Sequence, residues 1–210
     1  MTIDAARSRR PINQTNVIAI GLRAKTGRAI AVVVGGTPNA PVILGKTEIK
    51  LVDPKIPATA QPYHEVMDLP WSESQRAVKV SARAIQNIAT KALAKLVKEQ
   101  ASNGMQVRAI GIVGAEDRDL SRIGNSHIRA HAAEGVLFRR VLDDAARANG
   151  LSFQTFPERK FTQLLKDELG SKADPIKKKL DEGARRLPPP WRADEKLAAM
   201  AAWLALHHSD

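Results

Sequence analysis

The chain has 210 residues, with 33 Lys and Arg against 22 Asp and Glu, a formal net charge of +11 at pH 7 and no cysteine. The missing Cys excludes a disulfide framework, a thiolate zinc site, an iron–sulfur cluster and a cysteine nucleophile. An apolar fraction of 43% excludes intrinsic disorder and suits one packed domain, and no window approaches 18 consecutive apolar residues, so the expectation is a cytoplasmic chain without signal peptide or membrane span.

Residues 1–15, with Arg7, Arg9, Arg10 and Pro11, read as a flexible basic arm, and a single domain is expected over 16–210. Residues 17–22 and 29–34 are apolar and largely β-branched, joined by Arg23-Ala24-Lys25-Thr26-Gly27, the pattern of two buried strands and a polar turn. A third strand fits residues 42–51, where Thr47, Ile49 and Leu51 alternate with Glu48 and Lys50. The segment 53–70 holds Pro54, Pro57, Pro62 and Pro70 and reads as a long loop. A helix is predicted from Ser72, capped by Ser72 with Gln75 completing a box, to about Gly104, with Val78, Ile85, Ala89, Ala92, Leu93 and Leu96 as its apolar stripe.

Residues 107–113 form the next predicted strand, and Glu116, Asp117 and Asp119 follow on a polar loop. A long helix is expected over 125–149, closed by Gly150, then a short fifth strand over 151–156. Pro157 opens a helix over 158–169 that stops at Gly170. Residues 172–192 read as a basic linker or a short helix ending in prolines. The last helix starts near Ala193 and turns Leu197, Met200, Ala201 and Leu204 to the core. The order β-β-β-α-β-α-β-α-α predicts an α/β fold: a mixed sheet with helices on both faces.

The positive charge falls in two clusters. Up to residue 50 eight basic side chains, among them Arg23, Lys25 and Arg28, face only Asp4 and Glu48; over 75–110 Arg76, Lys79, Arg83, Lys91, Lys95, Lys98 and Arg108 face only Glu99. Neutralising phosphates with such groups releases condensed counterions, which makes an anionic polymer a fitting partner; a merely solubilising surface is the other reading. Aromatic residues make up 4% and are not interleaved with the basic ones, which favours backbone contact over base stacking. Neither a Gly-x-x-x-x-Gly-Lys-Ser/Thr loop nor a Gly-x-Ser-x-Gly elbow is present.

The element order resembles the ribonuclease H-like superfamily, within it the RuvC-like Holliday-junction resolvases. The resemblance is carried by Ile20-Gly21-Leu22-Arg23-Ala24-Lys25-Thr26-Gly27-Arg28-Ala29 as first hairpin, by His131-Ala132-Ala133-Glu134-Gly135-Val136, by Phe156-Pro157-Glu158-Arg159-Lys160, and by Ala193-Asp194-Glu195-Lys196-Leu197-Ala198-Ala199 as terminal helix. It implies acidic residues on the first strand, the fourth strand and the final helix that hold two Mg or Mn ions for phosphodiester hydrolysis. Asp194, with Glu195 beside it, matches the last of these. The first-strand acid would fall at Ile20 or Gly21, where there is no carboxylate. Gly111 and Val113 stand where the fourth-strand acid is expected, with Glu116 and Asp117 just beyond.

Two readings follow: a nucleic-acid-binding relative, DNA foremost, that has lost hydrolysis, or an active metal-dependent nuclease with a relocated site using Asp194, Glu116 and Asp117, with Asp194 and Glu116 as metal ligands. Arg23 and Lys25 oppose a cation and favour phosphate, and Arg28, Lys79 and Arg83 complete the expected phosphate-binding set. A protein-interaction or assembly module is the alternative from another class, and a homodimer stays open. His127, His131 and Glu134 share a helix face at i, i+4, i+7 spacing, read as structural packing with a zinc site as the alternative. Tyr63-His64-Glu65 offers a weak acid/base pair, and His207 and His208 read as polar terminal residues.

Overall fold

The computed structural model describes residues 16–207; the basic arm expected over 1–15 and His208 lie outside them. Strands β1 (Val17–Lys25), β2 (Arg28–Thr37) and β3 (Ala40–Lys50) form an antiparallel meander, and β4 (Gln106–Gly114) and β5 (Phe153–Pro157) extend it in parallel on the far side of β1. The sheet order is β3-β2-β1-β4-β5, with β2 alone running against the others. This is the mixed α/β sheet, with helices on both faces, that the element order predicts. The β1–β2 connection is only Thr26-Gly27, and Gly27 takes φ 76°, a conformation that favours glycine.

Among the described residues six α-helices cover the two faces: α1 (Trp71–Ala77), α2 (Lys79–Ser102), α3 (Ser126–Ala148), α4 (Glu158–Leu169), α5 (Ala173–Ala184) and α6 (Ala193–His207). Because strand side chains alternate, Ile18, Ile20 and Leu22 of β1 pack with Ile85 and Leu93 of α2 and Phe138 and Leu142 of α3. Ala19 on the opposite face joins Phe161 of α4, Ile176 and Leu180 of α5 and the length of α6. Residues 198–206 are all buried, which explains why α6 is apolar all round: it lies between the sheet and the outer helices. Among the described residues no helix is long and apolar enough to cross a membrane.

The centre of the α6 face is closed by two glycines. Gly21 and Gly111 are register partners on β1 and β4. A Cβ on Gly21 would lie 1.7 Å from the carbonyl oxygen of Ala198, and one on Gly111 2.2 Å from that of Ala201. The backbone of α6 therefore rests directly on the two central strands.

Local chemistry departs from expectation in two places. The box at Ser72 and Gln75 does not form; Pro70 precedes α1 and no side chain caps it. The helix starts one residue early, the amides of Glu73 and Ser74 donating to the Pro70 carbonyl at 2.8 and 3.0 Å, so Ser72 lies inside the first turn and cannot cap it; Ser74 is buried, its hydroxyl donating toward the carbonyls of Val66 and Leu69 (3.1 and 3.2 Å). Pro157 ends β5 and stands before the first turn of α4 rather than inside it. Residues 173–184 are helical because Ile176, Leu180 and Ala184 give them an apolar stripe to bury. Asn125 does cap α3, its Oδ1 accepting from the Ile128 amide at 2.9 Å. Asn125→Ala should cost about 1 kcal/mol in a denaturant melt.

Candidate nucleic-acid interface and the adjoining cleft

The carboxyl ends of β1, β4 and β5 meet the first turns of α4 and α6, and a buried guanidinium sits at their junction. Arg23 is 3% exposed. It is ion-paired with Glu158 of α4, its Nε lies 3.3 Å from Asp194 Oδ1 of α6, and it donates to the carbonyl of Ala24 at 2.8 Å. Lys25 approaches the other oxygen of Asp194 at 3.5 Å. The alternation that puts Ala19 and Gly21 toward α6 also puts Arg23 there, so a cation occupies the level where Glu158 and Asp194 converge.

Beyond β4 a cleft of about 440 Å³ is lined by Glu116, Asp117, Arg118, His131, Glu158 and Arg159, among others. Its acids are also matched with cations. Glu116 accepts from Lys160 at 2.8 Å, and Asp117 is paired with Arg139 and, at 2.9 Å, with Arg140. Arg139 is itself buried, ion-paired with Asp143 and donating to the Ala115 carbonyl at 3.2 Å; Thr155 donates to Asp143 at 2.8 Å. This Arg139–Asp143–Asp117 network holds the loop after β4 against α3. Sequence reasoning missed it, because an i, i+4 Arg/Asp pair on a helix looks the same whether solvated or buried.

The structure therefore engages Asp194, Glu116 and Asp117 with separate cations. Arg28 lies on the exposed hairpin, 3.6 Å from Glu48. Lys79 and Arg83 are exposed on α2 and belong to none of the ion pairs among the described residues.

Among the described residues one group of three metal-ligating side chains lies within reach of a single ion: His64, His127 and His131, whose ligand atoms are all within 4.8 Å of one another. His127 and His131 are exposed on the first turns of α3, and His64 arrives from the proline-rich loop. Glu134, wholly buried one turn further along, accepts from His64 Nδ1 at 2.8 Å and from its backbone amide at 3.3 Å. Tyr63 stacks on Trp71 with ring centroids 5.5 Å apart. Burial raises its phenol above the ordinary range against the opposing pull of Arg140, a sign that this loop lies on α3.

No family model matches the chain and no curated protein matches it. Among solved structures, Thermus thermophilus RuvC in complex with a Holliday junction substrate aligns over 89% of this chain and 90% of its own, at 11% identity and a TM-score of 0.46. The yeast mitochondrial Holliday junction resolvase Ydc2 aligns over 90% and 78%, at 9% identity and a TM-score of 0.48.

Proposed function

We propose that this chain binds nucleic acid, DNA foremost, through its phosphate backbone and does not hydrolyse it. The observation that carries this reading is the distribution of cations. The acids at the carboxyl end of the sheet are all engaged by cations of the fold itself: Glu158 and Asp194 share Arg23, Asp194 also faces Lys25, Asp117 meets Arg139 and Arg140, and Glu116 meets Lys160. The surplus is left on the outer surface, where Arg76, Lys79, Arg83, Lys91 and Lys98 of α1 and α2 are exposed.

Spacing reinforces the point. Lys79 and Arg83 are four residues apart, as are Lys91 and Lys95, with Lys98 three further on, so they lie in neighbouring rows on the side away from Ile85, Ala89 and Leu93. With 24 residues, α2 is about 36 Å long, close to one turn of duplex DNA. Two carboxylates that share a buried guanidinium, one of them also facing Lys25, make a poor cage for Mg or Mn, whose charge needs several free anionic oxygens. The same Arg23 is enclosed by its carboxylate partners, so phosphate contact on this reading falls to Lys79 and Arg83, with Lys25 and Arg28 at the hairpin end.

The test is a salt titration of binding to labelled duplex and four-way-junction DNA. Replacing Lys79, Arg83, Lys91 and Lys98 together by Gln should weaken binding evenly across sequences and flatten log Kd against log salt by about 0.9 for each phosphate no longer neutralised. Exposed substitutions of this kind leave stability within about 0.5 kcal/mol, so a changed slope reports phosphate binding rather than unfolding. An unchanged slope would remove α2 from the interface, and no binding at low salt would leave the assembly-module reading in front.

A further inference from the structure

We propose that His64, His127 and His131 form a binding site for a zinc-class divalent cation, with Glu134 as the positioning residue that holds His64. Three imidazoles on one ion is a borderline-soft donor set, which suits Zn and its transition-metal neighbours rather than Mg or Mn.

The geometry supports it from two directions. The ring centroid of His64 lies 4.3 Å from that of His131 and 5.2 Å from that of His127, and the last two are 4.5 Å apart. Tetrahedral coordination at about 2.0–2.1 Å places ligand nitrogens about 3.4 Å from each other. Closing from within 4.8 Å is a matter of rotating His127 and His131, both of which are exposed. His64 is already fixed: Nδ1 is taken by Glu134, which leaves Nε2 as its ligand atom. That nitrogen is buried with no hydrogen-bond partner. An imidazole whose second nitrogen is held by a carboxylate is the usual outer-shell arrangement of a metal-bound histidine, because the carboxylate fixes the tautomer and raises the basicity of the other nitrogen.

Glu134 supplies the second argument. It is 0% exposed, its hydrogen bonds go to His64 alone, and its Oε2 has no hydrogen-bond partner. A buried carboxylate with so little compensation is costly; a cation on the far side of the His64 ring would compensate it through the imidazole. Three protein ligands with an open fourth position resemble the make-up of catalytic rather than closed structural zinc sites. His131 also lines the cleft beyond β4, so that position would take water beside it. The ion would also tie the 53–70 loop to α3.

Zinc titration of tag-free, full-length protein, followed by calorimetry and by metal analysis after gel filtration, tests the site. One equivalent per chain is expected, and Co(II) in its place should show the visible absorption of tetrahedral coordination. His127→Ala and His131→Ala, both at exposed positions, should each weaken binding at least 100-fold with the far-UV spectrum unchanged. Glu134→Gln should weaken it 10- to 100-fold. A His207→Asn/His208→Asn variant should bind as the parent does. Absence of a saturable equivalent, or one that survives both His127→Ala and His131→Ala, would overturn the proposal and leave the cluster as packing.

Discussion

Gly21→Ala is expected to destabilise the protein by about 3 kcal/mol or more, at or above the upper end for overpacked cores. The added Cβ runs into the backbone of α6: the Ala198 carbonyl oxygen at 1.7 Å, its carbon at 2.6 Å and the Ala202 amide nitrogen at 2.9 Å. No rotamer relieves such a clash, and α6 has no room to retreat because residues 198–206 are buried on their other side too. In urea the midpoint should fall with the slope unchanged. Gly111→Ala should behave similarly, its Cβ 2.2 Å from the Ala201 oxygen. Gly45→Ala, which meets nothing within 4 Å, is the control. A parent-like midpoint for Gly21→Ala would mean that α6 does not rest on β1. Gly21→Asp, which adds a charge as well as a Cβ at the same place, should unfold the chain.

Arg23→Met should cost about 2–3 kcal/mol, below the 3–5 typical of breaking a fully buried pair, because water screens the partners. The side chains of Glu158 and Asp194 are 45% and 31% exposed, whereas that of Arg23 is 4% exposed. Removing the guanidinium leaves two carboxylates converging without their shared cation and takes a donor from the Ala24 carbonyl. Arg23→Lys should fall between parent and Met, since a single ammonium cannot reproduce the fork that spans α4 and α6. Equal midpoints for the Met and Lys variants would show that the ammonium's charge alone recovers nothing and that the fork's geometry is what the site requires.

These two residues also show where the sequence is legible and where it stops. Apolar runs over 17–22 and 29–34, with the Thr-Gly turn between them, mark the hairpin because buried strands write themselves as short β-branched runs. Asp194 ahead of an alanine-rich stretch marks α6. Glycine at 21 and 111 can be seen as the lack of an acid, but only the fold shows that the carbonyls of Ala198 and Ala201 occupy the space. Arg23 reads as a turn cation when its partners, Glu158 and Asp194, far along the chain, are unknown.

Local reasoning failed for the same reason at the histidines. His127, His131 and Glu134 stand out at helical spacing, but the residue that makes them a cluster, His64, is carried in by a loop whose path depends on Tyr63 against Trp71 and on Ser74 against Val66. Ser72 and Gln75 spell a capping box, but the helix begins at Trp71 with Pro70 before it, which leaves Ser72 inside the first turn. Periodicity locates elements; contacts between distant segments decide what the polar residues at their ends do.

The most direct test of the central claim is fluorescence anisotropy of labelled duplex and four-way-junction DNA over a range of salt in the presence of Mg or Mn, with the same samples run on a denaturing gel. Binding that weakens steeply with salt, with a log–log slope of magnitude about 3 or more, and DNA that stays intact is the predicted result. Metal-dependent cleavage that disappears in Asp194→Asn, or no binding at low salt, would contradict it.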